Sequence, residues 1–169
     1  NVSAYDRTLA PTSEVREQIK ACTARLLQRE PFVMKDPRLC LTYPWWQTHM
    51  PTPPIIVFVL RHPATIASSL RTRNGFSIEH GLALWESYIQ HALKHIEQQR
   101  VVITCRYETL LEKPAEASHQ LYKQLIEHFP TLTHPAQDFI EARLQRSTGD
   151  GISLSPSQTT LWQKISGEA

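Results

Sequence analysis

Arg61 closes a run of apolar β-formers, Val57-Phe58-Val59-Leu60, and Pro63 follows it after a single residue. Ser69 comes eight residues after the arginine, with Arg71 and Arg73 just beyond. A guanidinium is a permanent cation with a planar fork of donors that matches an oxyanion. A helix opening at Pro63 would point its free N–H groups and partial positive charge at the same place. Arginine, hydroxyl and helix end together make a phosphate-binding pattern. The plainer reading is an arginine that caps a strand end or pairs with Glu108.

Two further polar stretches follow short apolar runs: Lys35-Asp36-Pro37-Arg38 after Phe32-Val33-Met34, and Arg106-Tyr107-Glu108 after Val101-Val102-Ile103. In a parallel α/β sheet, ligands bind beyond the carboxyl ends of the strands. Three polar stretches in that layer say more than any one alone. Lysine supplies a movable point charge, and the plainer reading pairs Lys35 with Asp36 at the surface.

The elements that must position these residues alternate. Val15, Ile19, Cys22, Leu26 and Leu27 recur at helical spacing after an N-cap at Thr12 or Ser13. Pro31 stops that helix, and Phe32–Met34 reads as a short buried strand. A helical segment over 38–49 is expected to break at Pro44. Ile55–Leu60 carries no polar alternation, which predicts a strand buried on both faces. Pro63 opens the next helix, and Asn74-Gly75 marks a turn. A long helix over 77–99, a third strand at 101–103, and helices near 113–128 and 135–145 complete the pattern. The segment from Ser147 has no clear period, with Leu161 and Trp162 as its only anchors. Alternating strands and helices predict the α/β class, a parallel sheet flanked by helices. Three strands are few for such a sheet, and a further strand is expected ahead of Asn1.

Composition narrows the function. The chain has 169 residues, 41% hydrophobic and 20% charged, with a net charge of +2. That balance is ordinary for a globular domain and too mild for a nucleic-acid partner. No apolar run approaches the ~18 residues that span a membrane. Cys22, Cys40 and Cys105 lie far apart with no CxxC pair, which fits buried thiols in a reducing, cytoplasmic setting. His91 and His95 share a helix face, yet no third ligand is evident and no metal is expected. No Gly-x-Ser-x-Gly elbow supports a hydrolase.

Arg61-His62-Pro63 with Ser69 resembles the 3′-phosphate-binding motif of sulfotransferases that use 3′-phosphoadenosine 5′-phosphosulfate. KDPRLC at 35–40, VFVLRHPATIASSL at 57–70, GLALWESY at 81–88 and RYETLLEKP at 106–114 come in the order found in bacterial members of that family. The likeness covers roughly residues 15–146. It implies the P-loop-nucleotide-hydrolase-like sulfotransferase fold and sulfuryl transfer to a hydroxyl or amine of a small-molecule or glycan acceptor. It implies that Arg61 and Ser69 hold the 3′-phosphate and that Lys35 steadies the transferring group. Asp36, His62 and His80 are the candidate bases, with Asp36 ahead. Tyr107 and Glu108 match a structural Tyr-Glu element, Trp85 and Tyr88 read as core, and Arg143 or Arg146 match a late phosphate contact only loosely.

One family element has no counterpart. The first strand and its Gly/Ser/Thr/Arg-rich loop, which wraps the 5′-phosphosulfate in backbone N–H groups, are missing. They are expected upstream of Asn1, so that residues 1–146 form a domain incomplete at its N-terminus and 147–169 a tail. The alternative is a catalytically inactive sulfotransferase-like binding or assembly module. A nucleotide kinase of related fold would need the same loop.

Overall fold

The computed structural model describes residues 10–29, 31–134 and 148–167. In chain order its elements are α1 (Ser13–Leu27), α2 (Leu39–Gln47), β1 (Ile56–Leu60), α3 (Pro63–Asn74), α4 (Ile78–Ile96), β2 (Val102–Arg106), α5 (Tyr107–Glu112), α6 (Pro114–Ile126) and α7 (Pro156–Ser166). The chain divides into two compact units. One takes the residues up to Ile56 with Ser87–Val101, and the other takes Val57–Glu86 with Val102 onward. The helix expected over 135–145, with Arg143 and Arg146, lies outside the described residues.

In the first unit, Thr12 caps α1 by accepting from the Val15 N–H at 3.3 Å. Buried Thr23 is satisfied within the helix, donating its hydroxyl to Ile19 O. The break expected at Pro44 does not occur, and α2 runs through it. Proline lacks the N–H that would bond the carbonyl four residues back, here that of Cys40. The ring of His95, from the second half of α4, hydrogen-bonds that same carbonyl, and burial holds the imidazole below its usual pKa. Buried Tyr43 packs on this ring, centroids 5.5 Å apart, and donates its hydroxyl to Gln99 Oε1 at 3.1 Å. The three thiols are free, as their spacing suggested, but half-buried where full burial was expected. Burial pushes Cys40 up to about 11.

The strand expected at Phe32–Met34 is absent. These residues form no regular element, and Val33 is 91% exposed. A strand is held by its ladder, and among the described residues no other strand pairs with this segment.

In the second unit, β1 and β2 form a small two-stranded parallel sheet. Described residues therefore give two strands where three were expected. The expectation that β1 is buried on both faces also fails. Leu60 is buried, whereas Val57 and Val59 are 38% and 54% exposed. The alternation of strand side chains puts these two valines on the opposite face from Leu60.

Around the sheet, Leu60, Ala67, Leu82, Trp85, Ile103 and Trp162 are buried. Trp85 is thus core, as its helical spacing implied. Gly75 ends α3 with φ 71°, and its N–H bonds Arg71 O, so the Asn74-Gly75 turn is a left-handed C-cap. The segment from 148 onward, which showed no period, holds α7. Its signal was local rather than periodic: Ser155 and Gln158 form a reciprocal capping box, with Pro156 in the first turn.

Two glycines mark close backbone approaches within this unit. A Cβ on Gly81 would lie 2.9 Å from Ala67 Cα, and one on Gly149 would lie 2.7 Å from Ala64 Cβ and 3.0 Å from Thr65 N. Gly149 therefore fastens the chain ahead of α7 onto the first turn of α3. Gly149→Ala is expected to destabilise the protein by about 1–3 kcal/mol, the cost of overpacking a filled site, in a urea titration. Wild-type stability in that variant would contradict this packing.

Candidate functional site

The carboxyl ends of both strands lie in the second unit. β1 ends at Leu60 and delivers Arg61 and His62, while β2 ends at Arg106 and passes straight into α5 through Tyr107 and Glu108. Two of the three polar stretches expected at strand ends are thus brought together. The third, Lys35-Asp36-Pro37-Arg38, follows no strand and belongs to the first unit.

One hydrogen bond locks the two strand ends. Glu108 Oε1 accepts from the backbone N–H of His62 at 2.8 Å, across 46 residues of sequence. Glu108 therefore neither caps the following helix nor forms an ion pair with Arg61 among the described residues. Its other oxygen, Oε2, is buried with no hydrogen-bond partner.

Arg61 lies with its guanidinium carbon 4.4 Å from the centre of the Tyr107 ring, a cation–π contact. Its Nε is buried and has no hydrogen-bond partner among the described residues. Buried donors are nearly always paired, because an unmade bond costs about 1–3 kcal/mol. Beside it, Arg106 stands 5.6 Å over the Trp162 ring. Trp162 also meets the ring of His62 edge-on, centroids 5.1 Å apart. α7 is anchored a second time by Gln158, which donates to Glu86 Oε2 at 3.3 Å. Trp162 is thus an anchor expected for this segment, whereas Gln158 carried no periodic signal.

α3 begins in this layer. His62 is its N-cap, with Nδ1 accepting from the Ala64 N–H at 3.3 Å, and Pro63 occupies the first turn. That bond engages the Nδ1 lone pair in capping the helix. No acidic residue sits in the first turn of α3. The positive end of the helix dipole is therefore unopposed there by its own side chains.

Ser69 is half-buried, two turns into α3. Helical spacing sets it on one face with Thr65, about 9 Å along the axis from Pro63. Arg71 and Arg73 occupy the exposed last turn, about 12 Å or more along the axis. The dense arginine group seen in the sequence is thus split between the two ends of one helix. His80 is exposed in the first turn of α4, its ring edge-on to Phe76.

In the first unit, Arg38 rather than Lys35 pairs with Asp36. Its Nε donates to Oδ1 at 2.9 Å, its Nη2 to Oδ2 at 2.6 Å, and its backbone N–H to Oδ1 at 2.8 Å. These bonds hold the Asp36 carboxyl down at about 2. A carboxylate so stabilised accepts hydrogen bonds well and protons poorly at neutral pH. Lys35 is exposed and has no ion-pair partner among the described residues.

No protein-family model, curated protein or solved structure matches the chain.

The lock between the strand ends is testable. Glu108→Ala removes the acceptor and strands the part-buried His62 N–H, which is expected to cost about 1–3 kcal/mol in urea unfolding. Glu108→Gln keeps an amide oxygen in reach and should cost less. Equal stability of the alanine variant and the wild type would contradict the lock.

Proposed function

We propose that the strand-end cluster of the second unit is the 3′-phosphate corner of a sulfuryl-transfer domain. In this reading the co-substrate is 3′-phosphoadenosine 5′-phosphosulfate and the acceptor a hydroxyl or amine. The observation that carries the proposal is the buried Nε of Arg61, a charged donor with no hydrogen-bond partner at the mouth of a strand. A phosphate oxygen is the acceptor best matched to it in charge and geometry. The positive end of α3 lies in the same layer, with the Glu108 carboxylate on its N-cap amide. Ser69 supplies a hydroxyl further along the helix.

Sulfuryl transfer resembles phosphoryl transfer in needing position and charge neutralisation more than covalent help. Lys35, exposed and without an ion-pair partner among the described residues, is the residue assigned to the transferring group. Asp36, held charged by Arg38, is better suited to fixing Arg38 and their loop than to taking the acceptor's proton. The cations needed are side chains, so the reading assigns no metal. The P-loop-like sulfotransferase fold belongs to this same proposal.

Calorimetric titration with adenosine 3′,5′-bisphosphate tests it. The wild-type chain is expected to bind. Arg61→Ala should weaken binding by about 1.5–3 kcal/mol, roughly ten- to a hundredfold in Kd. Affinity that does not change on removing Arg61 would sink the assignment, and so would a wild-type chain that ignores the nucleotide.

A further inference from the structure

A second cluster of chemically capable side chains lies in the second unit on α6 and the turn after it. His119 is on α6 and His134 follows the turn, and both are exposed. Their ring centroids are 5.5 Å apart and their planes are inclined at 59°, so the two rings are close without stacking face to face. Two imidazoles on one tetrahedral Zn²⁺, with Zn–N of about 2.0–2.1 Å, have centroids about 5 Å apart. The observed spacing is within a side-chain adjustment of that geometry.

The chain holds the pair in place. The turn is fixed by N–H bonds from His128 and Phe129 to Leu125 O and from Leu132 to Phe129 O. Tyr122, one turn after His119, donates its hydroxyl to Leu132 O at 3.3 Å and meets the His134 ring edge-on, centroids 4.9 Å apart. Ordering two side chains before a ligand arrives lowers the cost of binding it. Helical spacing puts Glu116 and Lys123 on either side of His119. Glu116 is engaged by Lys113 at 3.7 Å.

We propose that His119 and His134 form a two-imidazole site for a borderline divalent cation of the Zn²⁺ or Cu²⁺ type. Imidazole nitrogen is the ligand class such ions prefer. Among the described residues no group of three or more His, Cys, Asp or Glu side chains is placed to hold a metal. Water therefore fills the remaining positions, and the ion is held reversibly at the surface. This site is separate in residues and chemistry from the proposed nucleotide corner.

The test is a calorimetric titration of the untagged chain with Zn²⁺ alone. The wild type is expected to take up one equivalent saturably. His119→Asn and His134→Asn, each checked for native circular dichroism, should each weaken binding roughly tenfold or more, the scale of losing one member of a metal site. His91→Asn, which disrupts the other closely spaced histidine pair, should bind like the wild type. Absence of saturable binding would overturn the site. So would affinity unchanged by either the His119 or the His134 substitution, because the ion would then sit elsewhere.

Discussion

The second unit depends on one hydrogen bond, from the His62 amide to the Glu108 carboxylate. Its partners are 46 residues apart, and each stands just past the end of a strand. A parallel two-stranded sheet has a single ladder to hold its register. This bond fixes the ends of both strands together, sets where α3 starts, and so decides where the α3 dipole and Arg61 point. A carboxylate accepting from a backbone amide is among the stronger hydrogen bonds a protein makes. It also commits one oxygen of the carboxylate that a bare sequence would have offered to Arg61.

That competition shapes the chemistry of the layer. With Glu108 turned to the backbone, Arg61 is left with the face of Tyr107, an attraction that offers no acceptor to its N–H groups. Arg106 and His62 are instead covered by Trp162 of α7. α7 in turn is tied down by its own capping box, by Gln158 on Glu86, and by the contact of Gly149 with α3. Through Trp162, on His62 and Arg106, the last described segment joins the cluster at the strand ends.

Much of this was legible because it rests on local rules. Pro63 with an apolar β-run before it fixes a strand-to-helix junction, and Asn74-Gly75 fixes the left-handed cap that ends α3. What failed depended on partners distant in sequence. Phe32–Met34 has the composition of a strand, yet composition cannot supply a ladder. Pro44 breaks helices unless the stranded carbonyl of Cys40 finds another donor, and His95 is 55 positions away from Cys40. The arginine group at 61, 71 and 73 looked dense because sequence distance ignores the rise of a helix. α7 was overlooked because a capped helix of 11 residues was sought by its period instead of its ends.

The central claim is that the Arg61 guanidinium is a donor in need of an anion. The most direct measurement is the ¹H–¹⁵N resonance of its Nε–Hε group, assigned by its loss in Arg61→Lys. This account predicts that the resonance moves when adenosine 3′,5′-bisphosphate is added and stays in place with adenosine. A resonance that ignores the bisphosphate would contradict it.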